Sequence, residues 1–280
     1  MNTMLCQSAT PEQARMLGDE WIIERKFDGV RAYIENGKLY DRRNAEITKR
    51  FPEFTGLNAI KETIDGEIVL LNDAETDDFS AVASRMHLRD RFAINLMSKK
   101  MPCVFVAFDI SHDGVGSIGQ KMLSERRKQL ESSTGKLGWD GKQKHDYFWL
   151  HLTEQFSITQ FDALWDEVKE QGREGLIVKN TQSIYEGKRS ANWLKVKAWV
   201  ETTAEFIKLE GQPKGYTMET ADGRRVVVNG SQADKVHDEF VKHDKVTAHI
   251  QYLPQNNSSE WRFPSFRGLV KQDNGQGETE

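Results

Sequence analysis

The sequence predicts a two-domain α+β protein, a larger mixed domain followed by a small β-barrel. Three observations predict it. At 280 residues the chain exceeds the usual size of one domain. Up to about Val200, apolar-alternating strand runs are interleaved with amphipathic helical segments. Beyond that point the texture changes to short strands around a single helix.

Composition narrows the class. Hydrophobic residues make up 38% and aromatics 10%, enough for real cores and too much for long disorder. The 39 Lys+Arg against 43 Asp+Glu give a formal net charge of −4, which neither favours nor excludes a nucleic-acid partner, since charge can segregate to one face. Cys6 and Cys103 make no disulfide framework and no zinc site, and reduced thiols are the simpler expectation. No basic stretch followed by an apolar one opens the chain, and no apolar run approaches the roughly 20 residues of a membrane span. The expectation is a cytoplasmic protein.

The elements follow in order. Residues 11–18 read as a short helix ended by Gly18. Trp21-Ile22-Ile23 has strand character. Asn36-Gly37, between two apolar-alternating runs, is a strong hairpin signal, and Asn44 suits a left-handed turn. Asp65-Gly66 reads as a turn opening a strand that carries Glu67, either facing outward or serving a site. Residues 79–97 are helical, with Arg85, Arg89 and Arg91 forming either a solvated face or a basic contact surface. Residues 103–110 form a strand apolar on both faces, and 124–130 start a helix capped by Ser124. Residues 132–144 read as a loop. Phe161, Leu164, Trp165 and Val168 make one buried helical stripe closed by Gly172. Residues 174–179 and 193–199 are strands, and in the second Lys195 and Lys197 leave the same face. The strands near 206, 215–220, 225–229, 245–252 and 262–270, with a helix over 232–243, suit a Greek-key barrel of the OB type.

The densest group of chemistry is Lys26-Phe27-Asp28-Gly29-Val30-Arg31. By itself Lys-x-Asp-Gly-x-Arg is either a turn with solvated charges or a nucleophilic lysine at a strand end facing a phosphate site. A lysine that attacks an α-phosphorus must be deprotonated, against an ordinary pKa of about 10.4. Neighbouring cations and a divalent metal would have to lower it. Further cations must take up charge on the phosphorus and the leaving pyrophosphate, and carboxylates must hold magnesium and a ribose hydroxyl. Glu67, Glu174, Lys195 and Lys197 are residues of those types.

Taken in order along the chain, these motifs resemble the ATP-dependent DNA ligases, in particular the minimal viral and phage-like form. The resemblance implies a nucleotidyltransferase domain over 1–199, with ATP-grasp-like antiparallel sheets and flanking helices. An OB domain over 200–272 and a polar tail over 273–280 would follow. Lys26 to Arg31 is similar to the signature whose lysine is adenylated, with Asp28 and Arg31 positioning phosphates or metal. Asp41-Arg42, continuing into Phe51-Pro52-Glu53, resembles the element whose arginine faces the nucleotide or nick phosphate. The family often has glycine after it, where this chain has Arg43-Asn44, so Arg43 competes for the role. Asp65-Gly66-Glu67 resembles the ribose-binding segment, and Phe108 the ring that stacks on adenine. Glu174 to Lys179 resembles the metal-binding carboxylate element, with Glu67 as a second metal ligand. Lys195 and Lys197 resemble the phosphate-binding lysine pair, and Glu24 stands where the family reads the adenine amino group. The family's C-terminal Arg-x-Asp-Lys element is not intact; Arg262, Arg267 and Lys271 are the candidates for pyrophosphate or DNA contact.

What the resemblance implies is a monomer that uses ATP and Mg²⁺ or Mn²⁺ to seal nicks in duplex DNA through a lysyl-AMP. RNA ligases usually depart from the Asp-Gly-x-Arg form kept here. Capping guanylyltransferases should require the intact C-terminal element. A non-catalytic nick-binding protein has no need of the nucleophile.

Overall fold

The computed structural model describes residues 1–70, 78–136, 149–255 and 258–270. The chain divides into two compact units, Met1–Lys197 and Ala198–Glu280.

Unit one opens with β1 (Leu5–Ser8), helix α1 (Pro11–Arg15) and β2 (Trp21–Arg25). Thr10 caps α1 in a reciprocal box with Gln13, which satisfies two orphan backbone donors. Next come β3 (Val30–Glu35) and β4 (Lys38–Asp41), joined by the expected two-residue turn. Both turn residues take positive φ, 49° at Asn36 and 73° at Gly37, as a hairpin matched to strand twist requires. β5 (Thr63–Val69) follows, then α2 (Phe79–His87), α3 (Arg91–Lys100), β6 (Val104–His112) and α4 (Leu123–Lys136). The unit closes with β7 (Leu150–Leu152), β8 (Phe156–Ser157), α5 (Phe161–Glu170), β9 (Gly175–Asn180) and β10 (Arg189–Lys197).

These strands make two five-stranded sheets, ordered β1-β10-β9-β2-β8 and β4-β3-β5-β6-β7. β2 belongs to the first sheet and β3 to the second, so the chain changes sheets across residues 26–29. The second sheet packs on a core that includes Ile34, Phe51, Phe54, Phe105 and Trp149. There the Phe54 and Trp149 rings stack with centroids 4.8 Å apart.

Unit two contains β11 (Val200–Phe206), β12 (Lys208–Gln212), β13 (Gly215–Glu219), β14 (Arg225–Asn229), α6 (Ser231–His243), β15 (Val246–Gln255) and β16 (Ser258–Leu269). Two antiparallel three-stranded sheets, β11-β15-β16 and β12-β13-β14, enclose one core built around Phe206, Met218, Val236 and Ile250. This is the small β-rich unit with one interposed helix that the sequence predicts.

Several local expectations change. Gly66 opens no turn; it lies inside β5, where an added Cβ would come within 2.5 Å of the Phe105 ring. The helical stretch over 79–97 is two helices, because Asp90 caps a new one through Ala93 N. Arg85 faces inward. Its guanidinium pairs with Glu53 at 2.9 Å and donates to the carbonyls of Met101 and Arg50, so it offers nothing to a surface. Ser124 lies within the first turn of α4, which starts at Leu123 and runs to Lys136. The remainder of the expected 132–144 loop, the 273–280 tail and Lys271 lie outside the described residues. Cys6 and Cys103 are both free thiols.

One buried pair ties α4 to the second sheet. Arg126 grips Asp109 of β6 with two bonds of 2.8 Å and donates to the carbonyls of Lys121 and Ser183; neither side chain is exposed. Removing one partner of such a pair leaves a buried charge uncompensated. Arg126→Met is therefore expected to cost about 3–5 kcal/mol of unfolding free energy. Urea titration should also show that Asp109→Leu in the same chain recovers most of the loss.

Candidate active site

The two sheets of unit one face each other across a cavity of about 320 Å³, a size suited to a small-molecule site. Alternation along strands decides which residues reach it. From the first sheet come Glu24 and Lys26 at the end of β2, Lys179 of β9, and Trp193, Lys195 and Lys197 of β10. The second sheet contributes Arg31, Glu67 and Phe108, with Arg42 from the turn after β4. Glu174, expected at the site, reaches it by bonding two lysines that line the cavity.

Lys26 follows β2 directly, and its backbone N–H donates to Gly175 O at 3.0 Å, which seats it beside the start of β9. Its Nζ lies 2.5 Å from Glu174 Oε2, while Lys197 Nζ lies 2.9 Å from Oε1 of the same carboxylate. One buried carboxylate thus holds two ammonium groups. Burial pulls the Lys26 pKa down, but Glu174, Glu67 and Asp28 outweigh it and hold the pKa above the ordinary lysine value. Glu67 behaves oppositely: burial, only partly offset by Lys26 and Arg31, pushes its carboxyl up to about 7. For Glu174, burial raises the pKa, and Lys26 and Lys197 reverse that to a net decrease. Burial, aided by Lys197 and Arg189, lowers the pKa of Lys195.

Gly29 of the signature does not have a positive φ. A Cβ there would stand 2.3 Å from Ile68 O, so glycine is needed for close approach to β5 and not for turn conformation. Two residues on, Arg31 donates to both oxygens of Asp65, from Nε at 2.7 Å and Nη2 at 2.6 Å, and to Met4 O. Its guanidinium also lies over the Phe108 ring, 4.5 Å from the centroid. Burial opposes the charge on Arg31, but Asp65 more than compensates and raises its pKa. Tyr185 completes the cluster with a 2.5 Å bond from its hydroxyl to Asp65.

At the other end of the cavity Glu24 is buried. Lys179 Nζ sits 2.6 Å from its Oε2, and Gln155 donates to Oε1 at 2.9 Å. The indole N–H of Trp193, also buried, has no hydrogen-bond partner among the described residues.

Arg42 is carried by a tightly fixed turn. Asp41 Oδ1 accepts from the N–H groups of Arg43 and Ala45, and Asn44 adopts the expected left-handed φ, 64°. Arg43 is exposed beside it. Arg262 and Arg267 lie on β16 in unit two, Arg262 with its guanidinium over the Phe263 ring and Arg267 bonded to Gln251. Of the residues at this site, Asp65, Gln155, Lys179, Tyr185 and Trp193 had no role assigned from sequence. Asp65 and Lys179 fall inside recognised motifs, whereas Gln155 carries no local signal.

The comparisons agree with this geometry. Residues 3–197 match the family described as the ATP dependent DNA ligase domain. The chain belongs to the ATP-dependent DNA ligase family. The SPbeta prophage-derived DNA ligase-like protein LigB of Bacillus subtilis (strain 168) is 29% identical over 269 residues, covering 89% of this chain and 92% of that protein. The DNA ligase of Archaeoglobus fulgidus is 32% identical over 195 residues, covering 64% of this chain and only 32% of that longer protein. Among solved structures, a Lig E DNA ligase superposes with a TM-score of 0.72 at 17% identity, covering 96% of this chain and 99% of that one. The bacteriophage T7 ATP-dependent DNA ligase, solved with ATP, gives 0.54 at 18% identity and covers 96% and 98%. At such identities the superpositions speak for the fold, a mixed adenylation domain with a small β domain. No helix among the described residues is long and apolar enough to cross a membrane.

The two-pronged grip of Arg31 on Asp65 is a geometry lysine lacks. In this ligase Arg31→Lys is expected to keep the charge yet cost about 1–3 kcal/mol of stability, measurable as a lowered thermal midpoint.

Proposed function

We propose that this ligase seals nicks in duplex DNA through an AMP carried on Lys26. The observation that carries the reading is the Glu174 carboxylate shared by Lys26 and Lys197 at the edge of a nucleotide-sized cavity. In the first step the Lys26 amine, having lost a proton, attacks the α-phosphorus of ATP. A P–N bond forms, the P–O bond to pyrophosphate breaks, and Lys195, Lys197 and Arg42 take up the charge. Phe108 stacks on adenine, Glu24 accepts from its amino group, and Glu67 binds the ribose. In the second step an oxygen of the nick's 5′-phosphate attacks the same phosphorus; the P–N bond breaks and the lysine regains a proton. Arg31 acts through Asp65 and Phe108 to keep the base wall in place, and Asp28 supports the charge balance at Lys26. In the third step the neighbouring 3′-hydroxyl attacks the 5′-phosphorus and AMP leaves.

The chain also fits a divalent cation. Among the described residues no cluster of three or more His, Cys, Asp or Glu side chains could hold an ion alone. Magnesium, however, is commonly held by one or two carboxylates together with substrate phosphates. Glu67 and Glu174, both of which act on the Lys26 ammonium, are of that type. Mg²⁺ or Mn²⁺ there would offset their negative charge, withdraw the stabilisation of the Lys26 ammonium and polarise the phosphate. Contacts with DNA would go mainly to phosphates and sugars, with Arg43, Arg262, Arg267 and Lys271 as candidates, giving little sequence preference and steep salt dependence. A monomer suffices for this chemistry.

Incubation with α-labelled ATP and Mg²⁺ should leave acid-labile AMP on the wild-type protein and none on Lys26→Ala. Label on the variant, or none on the wild type, would sink the assignment. Glu174→Gln should fold but form the adduct about 10²-fold more slowly or worse, read as the single-turnover labelling rate.

A further inference from the structure

An adenine amino group at Glu24 does not by itself explain what would make this carboxylate select adenine over guanine. Both carboxylate oxygens already have a donor. Lys179 Nζ lies 2.6 Å from Oε2, and Gln155 Nε2 donates to Oε1 across 2.9 Å. The lysine is as buried as the glutamate, with side-chain exposures of 2% and 3%. It does a second job as well. Its Nζ lies 3.3 Å from Phe108 O, 4.6 Å from the centre of the Phe108 ring and 4.2 Å from that of Trp193. Glu24 belongs to β2 in the first sheet and Phe108 to β6 in the second. Lys179 therefore links the group proposed to read the base edge to the ring proposed to stack on its face.

We propose that Lys179 and Gln155 are positioning residues that set base selectivity, so that the site takes adenosine nucleotides and refuses guanosine nucleotides. The inference rests on the adenylation reading and on the assignment of Glu24 within it. A carboxylate is an acceptor only. Held as the partner of a buried ammonium, Glu24 presents lone pairs to whatever lies at purine position 6. Adenine places an amino donor there; guanine places a carbonyl, whose lone pairs would meet those of the carboxylate with neither able to reach water. Guanine thus leaves two buried acceptors unsatisfied, the type of mismatch that discriminates more strongly than shape. Without Lys179, the Glu24 carboxylate would lose the partner that fixes its Oε2, and the refusal of a 6-oxo group would weaken. Gln155, delivered by the loop between β7 and β8, fixes the second oxygen, so that the carboxylate cannot rotate to relieve the clash.

The test compares adduct formation from ATP and from GTP, both α-labelled, in the full chain with Mg²⁺. Wild type, Lys179→Met, Lys179→Arg and Gln155→Leu are measured side by side, each checked for a cooperative thermal transition. The ATP-to-GTP rate ratio should fall roughly tenfold or more in Lys179→Met and in Gln155→Leu, and Lys179→Arg should restore most of it. General loosening of the site would slow both nucleotides and leave the ratio alone, so an unchanged ratio in variants that still label overturns the proposal. For a variant too slow to label, the same ratio is taken from equilibrium binding of ATP and GTP by intrinsic tryptophan fluorescence; a fall supports the proposal and an unchanged ratio overturns it. Should Lys179→Met fail to fold, Gln155→Leu decides. A wild type that forms no AMP adduct would instead overturn the adenylation reading, and the binding ratio would then decide selectivity on its own.

Discussion

The site depends on one carboxylate. Glu174 precedes β9, and Lys26 and Lys197 follow or end the strands on either side of it, β2 and β10. Strand adjacency brings the three side chains together at one end of the sheet, and the shared ion pair keeps them there. Two ammoniums share one buried carboxylate, so loss of either lysine leaves a balanced pair, whereas loss of the carboxylate leaves two like charges side by side. The same acidic surroundings outweigh burial and keep the Lys26 pKa above the ordinary lysine value.

How much of this was legible in the sequence follows from the range of each interaction. The hairpin at Asn36-Gly37, the left-handed Asn44 and the buried stripe of α5 are set by neighbours within a few residues, and all three appear as expected. Lys195 and Lys197 share a face because the strand period is two, which requires only that the segment be a strand. Arg85 shows where such reasoning stops. Its position on a helix suggests a surface, yet its partner Glu53 lies 32 positions earlier in the chain and nothing local announces it. Gln155 and Glu24 are 131 positions apart, and Tyr185 and Asp65 are 120 apart. The pairings that shape the cavity arise only when the two sheets face each other. Gly66 departs from expectation for a related reason: Asp-Gly favours a turn, but what demands glycine there is a ring on the adjacent strand.

The construction of unit one explains why a single motif can carry so many roles. The chain leaves the first sheet at Arg25 and enters the second at Val30, so residues 26–29 lie where the chain passes from one sheet to the other. Lys26, just past β2, bonds the carboxylate that precedes the adjacent β9 of the first sheet, while Arg31, already in the second, grips Asp65 and lies over the Phe108 ring. Gly29 allows the crossing to press against β5. A Cβ at that point would come within 2.3 Å of the Ile68 carbonyl oxygen, so the crossing would have to shift away from β5.

The cleft is an expensive place to put charge. Glu24 with Lys179, Arg31 with Asp65, and Glu174 with two lysines are all largely removed from water, and buried pairs of this type are often no more stable than apolar replacements of the same size. Folding free energy must come from elsewhere. In the second sheet it comes from a core of stacked aromatics and aliphatics whose members do not line the cavity, where Phe51, Phe54 and Trp149 pack with Ile34 and Phe105. This separation lets the cleft residues be chosen for what they do to a nucleotide. A smaller apolar cluster, in which Met4, Tyr185 and Trp193 pack with Phe108, does reach the cavity, so substitutions there are expected to affect both packing and chemistry.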